Sequence, residues 1–265
     1  MVRYRIHPLK VGELTAPVGV LTMLGDMRTF LVAPVLIFYL EGGPKKIVVD
    51  AGVPAAGEDG LVHGFPLKGG GEEGVRQALA KVGTTPEEIE LLILTHLHFD
   101  HCAAAHLFRN ARIVVQRKEW ETAFNPIPTA RAVYDEALFR RLEHMDLVLL
   151  EGDCEVAPGV RVLLLPGHTL GMQGLAVETT RGTVVLAGDL AYSYYNINPN
   201  LSELTDLAGN KLTLTARPDL PFAPPAIHID LVAWFDSMWK AVATASRRDM
   251  VIPGHDPALV NTVIE

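Results

Sequence analysis

The chain has 265 residues, 49% of them apolar and 20% charged, with 23 Lys and Arg against 31 Asp and Glu for a formal net charge of −8. That composition suits a globular chain long enough to bury a large core. The acidic balance argues against a nucleic-acid partner, which would favour a basic face, and against attraction to anionic membranes.

The N-terminal residues MVRYRIHPLKVGELTAP are interrupted by charges. No continuous apolar stretch follows them, so no signal peptide is expected. The most apolar run, 30–40, is too short to cross a bilayer and contains Pro34, so it is expected to be a buried strand. Further short runs rich in Val, Ile and Leu lie at 46–50, 91–95, 112–116, 160–165, 174–178 and 183–187. Each is bounded by Gly, Pro or charged residues and predicts a strand. Residues 53–73, rich in Gly and Pro, are expected to be irregular.

Over Glu73–Val82 the spacing of Val75, Leu79 and Val82 predicts a helix. Thr85 and Pro86 look like an N-cap and a first helical residue. Longer amphipathic patterns at 129–145 and 229–246 predict two more helices. Between them 192–228 carries Tyr192, Tyr194 and Tyr195, then Pro218, Pro221, Pro224 and Pro225. A loop this long reads as a lid, a binding loop or a surface excursion. No repeat or polar linker divides the chain. Residues 1–265 are therefore expected to form a single domain of α/β layers with sheets packed on each other. Cys102 and Cys154 are too few for a disulfide framework, and the expected setting is reducing and cytoplasmic.

The strongest chemical signal is Thr95-His96-Leu97-His98-Phe99-Asp100-His101, directly after Leu91-Leu92-Ile93-Leu94. An extended backbone puts His96 and His98 on one side. Asp100 and His101 can then turn toward a second position. Three more candidates follow apolar runs that end in glycine: His168 in Pro166-Gly167-His168, Asp189 in Ala187-Gly188-Asp189, and His255 in Pro253-Gly254-His255. Burying such a cluster without a metal or a dense hydrogen-bond network would be costly. Seven ligand-type residues suffice for two metals sharing one carboxylate. Imidazole and carboxylate suit zinc first, with cobalt, iron and manganese also fitting. His7, His63, His106, His144 and His228 are read as ordinary surface or core residues.

The His-x-His-x-Asp-His loop with Pro-Gly-His168, Gly-Asp189 and Pro-Gly-His255 resembles the metallo-β-lactamase superfamily. The likeness runs from Ile47-Val48-Val49-Asp50-Ala51-Gly52 to His255. It implies an α/β fold of the α+β type, a four-layer αββα sandwich with a dinuclear metal site at the sheet edge. By that resemblance His96, His98 and His168 hold one metal, Asp100, His101 and His255 the other, and Asp189 bridges them. Asp50 matches an acid that orients a ligand histidine, and reads equally well as a turn aspartate.

Within the superfamily, Val114-Val115-Gln116-Arg117-Lys118-Glu119-Trp120 and Asp189-Leu190-Ala191-Tyr192 are similar to N-acyl-homoserine lactone lactonases. There the tyrosine contacts the substrate carbonyl. Cys102-Ala103-Ala104-Ala105 departs from the glycine pair common in relatives, with Cys102 read as packing. The implied function is quorum-quenching lactone opening by metal-hydroxide attack. Two ions share a water and lower its pKa toward about 7. Tyr192 donates to the developing oxyanion and Asp100 returns a proton to the leaving alkoxide. A homodimer and a small lactone substrate are implied too. No Gly-x-Ser-x-Gly elbow offers a serine nucleophile.

The site leaves room for another lactone, an ester or a thioester, for an iron redox protein, or for a non-catalytic metal module. Candidate walls for an acyl chain are Leu21, Met23, Leu24, Phe65 and Phe222. Phe139, Trp234, Phe235, Met238 and Trp239 serve either a subunit interface or the core.

Overall fold

The computed structural model describes residues 2–23 and 25–265. The first sheet contains β1 (Arg5–Pro17), β2 (Phe30–Glu41), β3 (Ile47–Val49), β4 (Leu61–Val62), β5 (Phe65–Gly69), β6 (Leu91–Ile93), β7 (Arg112–Gln116) and β8 (Leu147–Leu150). Its spatial order is β4-β5-β1-β2-β3-β6-β7-β8. The second contains β9 (Cys154–Ala157), β10 (Val160–Leu164), β11 (Gln173–Thr179), β12 (Gly182–Leu186) and, after a hairpin of β13 (Glu203–Thr205) and β14 (Lys211–Thr213), β15 (Val251–Ile252). Its order is β15-β12-β11-β10-β9. All seven expected apolar runs are strands.

Alternation along the first sheet divides its side chains between two cores. Leu36, Phe38, Leu40, Ile47, Val49, Leu91, Ile93 and Val114 face one cluster, which they share with Val160, Val162, Leu175, Val177 and Val184 of the second sheet. Val35, Ile37, Tyr39, Val48, Leu92, Ile113 and Val115 face the other cluster with Val75, Ala78 and Leu79 of the helix Gly71–Ala80. Successive strand residues point to opposite faces, so a strand buried on both faces reads as a continuous apolar run. The helix Leu231–Thr244 adds Trp234, Met238 and Ala241 to the first cluster. The layers are helix, sheet, sheet, helix, the metallo-β-lactamase arrangement that the sequence implied.

Several local expectations change. The helix expected from Glu73 begins at Gly71, and Pro86–Glu88 is one 3₁₀ turn whose Thr85 makes no side-chain cap. Residues 129–145 do not form one helix. They break into Arg131–Val133, Glu136–Phe139 and Arg140–His144, with Tyr134 extended at φ −96° and ψ 121°. Tyr134 pairs there with His98 as an isolated β-bridge, a long-range contact that overrides the local helical pattern. The segment 53–73 holds the β4–β5 hairpin, and 192–228 holds the helix Tyr194–Ile197 and the β13–β14 hairpin. Val32 of β2 donates to the Asp206 carboxylate and accepts from Leu207 N–H, which ties that hairpin to the first sheet.

Phe139, Trp234 and Met238 are fully buried, whereas Trp239 is 51% exposed. Cys102 and Cys154 are free. No helix among the described residues is long and apolar enough to cross a membrane.

Trp234 also ties its helix to the functional edge. Its indole N–H donates to Leu190 O at 2.8 Å, and Gly167, at φ +139°, lies so close to the Trp234 backbone that a Cβ would collide with it. Trp234→Ala is expected to lower the unfolding free energy by about 3–5 kcal/mol, measured by urea denaturation.

Candidate metal centre

Five strand ends converge on one edge. Asp50 follows β3, Thr95 to His101 follow β6, and His168, Asp189 and His255 follow β10, β12 and β15. β3 runs parallel to β6, and β12 parallel to β15, so their carboxyl ends open at the same side, where α/β sheets bind ligands. Glycine before a ligand-type residue has a steric reason. A Cβ on Gly254 would lie 2.9 Å from Asp189 Oδ1 and 3.1 Å from the Gly188 carbonyl.

All seven sequence-predicted residues come together, as two sets. His96, His98, His168 and Asp189 each offer one ligand atom within 4.8 Å of the others, and so do Asp100, His101, His255 and Asp189. Asp189 belongs to both, one oxygen to each. Its Oδ2 lies 3.7 Å from His96 Nε2 and 3.4 Å from His168 Nε2. Its Oδ1 lies 3.1 Å from His101 Nε2 and 3.0 Å from His255 Nε2. Asp100 reaches the second set only, 3.9 Å from His101 Nε2 and 3.8 Å from His255 Nε2.

The outer ring nitrogens are tied to the protein. His168 Nδ1 donates to Ile227 O at 2.8 Å and His255 Nδ1 to Pro34 O at 2.9 Å. His101 Nδ1 pairs with Asp50 Oδ2 at 2.8 Å, and His96 Nδ1 with Thr95 Oγ1 at 3.0 Å. A proton on Nδ1 leaves Nε2 as a lone pair aimed inward, the usual arrangement around metal-ligating histidines. Asp50, at φ +63°, also accepts from Thr95 N–H at 2.7 Å. It therefore orients His101 rather than merely closing a turn.

The donor set fits divalent cations. His96 Nε2, His101 Nε2 and Asp189 Oδ1 are buried without a hydrogen-bond partner, which is costly unless something else satisfies them. Burial, then neighbouring histidines, push His96 and His98 well below the usual imidazole range, and burial also lowers His168. Neutral imidazoles are what a metal requires. Burial also disfavours charge on His101 and His255, but the Asp189 carboxylate overrides it and raises both. Cation uptake there displaces protons, so affinity falls as pH falls.

An open, largely apolar cleft leads to the centre. Its walls include Leu14, Val20, Leu21, Leu31, Phe65 and Ile227, with Asp100, Asp189, Tyr192 and His255 at the base. Tyr192 sits edge-on between His168 and His255, ring centroids 5.8 and 5.5 Å away. Burial, then the Asp189 and Asp100 charges, hold its phenol proton on well above the usual range. Of the expected acyl walls, Leu21 and Phe65 line the cleft. Phe222 does not: it packs on Trp234 and Trp239 in the core. Met23 is exposed and Leu24 lies outside the described residues. His63 stacks on Phe99 at 4.2 Å, outside both ligand sets.

Sequence reasoning missed a role for Glu119. It is fully buried and accepts from Leu97 N–H, Tyr134 O–H and Thr169 O–H. The available signal was an acid on the stripe it shares with buried Thr122 and Ala123 in the helix Arg117–Phe124.

Asp50→Asn keeps the shape but turns the His101 contact into a weaker neutral one. We expect affinity for one of two bound cations to fall about 10–100-fold, read by competition with a chelator.

A model of the metallo-beta-lactamase superfamily matches residues 31–255. An N-acyl homoserine lactonase of Bacillus thuringiensis is 36% identical over 172 residues, 62% of this chain and 66% of that protein. N-acyl homoserine lactonase AiiB of Agrobacterium fabrum is 32% identical over 143 residues, 51% of this chain and 52% of that protein. The matches thus span between half and just under two thirds of these curated relatives. A solved N-acyl homoserine lactone hydrolase, with its product N-hexanoyl-L-homoserine bound at the catalytic metal center, superposes with a TM-score of 0.74. It is 27% identical, and the match covers 97% of this chain and 94% of that one. With the sandwich, the two ligand sets and a family match across most of its length, the chain belongs to the metallo-β-lactamase superfamily.

Proposed function

We propose that this chain is a dinuclear-metal hydrolase that opens the lactone ring of N-acyl-homoserine lactones. The observation that carries the reading is Asp189, one oxygen turned to each of two histidine sets at the base of an apolar cleft. The solved relative with N-hexanoyl-L-homoserine at its metal center supports the substrate class.

In this reading His96, His98 and His168 hold one ion, Asp100, His101 and His255 the other, and Asp189 joins them. Zinc is the ion we assign, by the imidazole and carboxylate donors, with cobalt, iron and manganese as alternatives that metal analysis separates. Such ions, when bound, supply Lewis acidity toward the carbonyl and a water acidified toward neutral pH. The apolar walls take the acyl chain and exclude water from it. Tyr192 donates a hydrogen bond to the carbonyl oxygen as negative charge builds there. A bond forms between the water oxygen and the carbonyl carbon, and the ring carbon–oxygen bond breaks. Asp100 takes up the water proton and returns it to the ring oxygen, giving an N-acyl-homoserine. The same reading takes residues 1–265 as a single domain in the cytoplasm. It carries a homodimer, for which Val232 and Trp239, 74% and 51% exposed, supply apolar surface and sedimentation the readout.

The test compares kcat/KM for short- and long-chain acyl-homoserine lactones, simple γ- and δ-lactones, a thioester and a β-lactam. The acyl-homoserine lactones are expected to lead. A thioester turned over far faster would reassign the site to thioester hydrolysis.

A further inference from the structure

Glu119 is a carboxylate buried completely, and no cationic side chain pairs with it among the described residues. Its partners are three neutral donors from three segments. Oε1 accepts from Leu97 N–H and from Tyr134 O–H, each at 3.0 Å. Oε2 accepts from Thr169 O–H at 2.5 Å. Such a group costs several kcal/mol to bury, and an apolar side chain of similar volume would avoid that cost. What it does instead is join segments distant in sequence.

Leu97 lies between His96 and His98. Thr169 follows His168, and Gly171 packs so tightly on the Glu119 backbone that a Cβ would collide with it. Tyr134 lays its ring edge-on against His98 at 4.7 Å and shares a β-bridge with it. Every one of these contacts leads to His96, His98 or His168. None of these side-chain contacts touches the rings of His101 or His255, which lean on Asp50 and on Pro34 O.

The clamp also has a load to hold. His98 Nδ1 and His168 Nε2 are 3.0 Å apart. His168 Nε2 is a lone pair because Nδ1 donates to Ile227 O. When both nitrogens are ligands neither carries a proton, and two lone pairs that close repel. The loops that bear them come from different sheets, and Glu119 is the side chain that bonds to both.

We propose that Glu119 is a positioning residue for one of the two metal positions, that of His96, His98 and His168. The proposal rests on the dinuclear reading above. Asp50 bonds directly to His101 and reaches His96 only through Thr95, so the two carboxylates support the two positions unequally.

Glu119→Gln tests it. The amide keeps the shape but turns the charge-assisted contacts to Leu97, Tyr134 and Thr169 into weaker neutral ones, so the clamp loosens. Full-length parental protein, Glu119→Gln, Asp50→Asn and the double variant would be loaded with zinc or cobalt(II) and titrated with a competing chelator. The predicted result is that Glu119→Gln weakens one ion about 10–100-fold and leaves the second at its parental affinity. Asp50→Asn weakens the ion of His101 most, and the double variant weakens both. The cobalt(II) absorption spectrum should change most in a different component in each single variant. Should Glu119→Gln fail to fold, Tyr134→Phe removes one of the three bonds and should weaken the same ion as Glu119→Gln to a smaller degree. Parental affinity for both ions in Glu119→Gln overturns the proposal. So does equal weakening of both, or selective weakening of the ion that Asp50→Asn weakens most. A parental protein that binds fewer than two ions per chain defeats the dinuclear reading itself, an outcome visible before any variant is compared.

Discussion

Asp189→Ala is expected to lower lactone hydrolysis by at least about 10³-fold, a loss of about 4 kcal/mol of transition-state stabilisation, and to reduce bound metal. Among the described residues no other side chain contributes to both ligand sets: the two Asp189 oxygens divide between His96 and His168 on one side and His101 and His255 on the other. Its charge also sets the local electrostatics. Burial alone would lower His101 and His255, and Asp189 is the largest of the influences that raise them. Reciprocally, burial disfavours the Asp189 carboxylate, but His101 and His255 hold it well below the usual carboxylate range. In the ion-free protein this mutual attraction stabilises the fold between the ordinary carboxylate and imidazole ranges; it is lost as pH falls through the lowered Asp189 pKa or rises through the raised ones of His101 and His255. Removing Asp189 takes away the largest of the influences that hold the proton on His101, leaving Asp50 and Asp100 against burial. The core strands do not depend on this side chain, so the variant should fold. Metal content per chain and steady-state kinetics check the result together, and parental turnover in Asp189→Ala would sink the two-metal mechanism.

Tyr192→Phe is expected to lower kcat by about 10²–10³-fold, the usual cost of losing one donor to a developing oxyanion, with metal content and KM little changed. Phenylalanine preserves the ring packing between His168 and His255 and removes only the hydroxyl. Because burial and the nearby carboxylates hold the phenol proton well above its usual range, Tyr192 remains a donor through neutral and moderately alkaline pH. The parental rate should therefore show no alkaline fall from Tyr192 ionisation. An unchanged kcat in Tyr192→Phe would remove the residue from the mechanism and leave it as a wall of the cleft.

How far the fold was legible depended on which contacts shape each segment. β2, β3, β6, β7, β10, β11 and β12 were legible because they are buried enough to form compact apolar runs. β1, the longest strand, was not. Its register shifts between Lys10 and Gly12, so its buried Ile6, Leu9, Val11 and Leu14 do not alternate with period two. The amphipathic stretch 129–145 predicted one helix, but Tyr134 is drawn out of helical geometry by His98 and Glu119.

The seven ligand-type residues were legible for a local reason: each follows an apolar run, and three follow a glycine that permits close approach. Their supports were not. Nothing local connects Pro34 with His255, Ile227 with His168, or Glu119 with Leu97 and Thr169, since these contacts join segments far apart in sequence. The cleft wall was half legible for the same reason. Leu21 and Phe65 lie on segments beside the edge, whereas Phe222 is drawn into the core by Trp234 and Trp239.

The most direct test of the central claim is hydrolysis of an acyl-homoserine lactone by protein stripped with a chelator, then restored with increasing divalent metal. The account predicts negligible turnover in the stripped protein and recovery that completes near two ions per chain. Full turnover without metal, or no turnover with two ions bound, would contradict it.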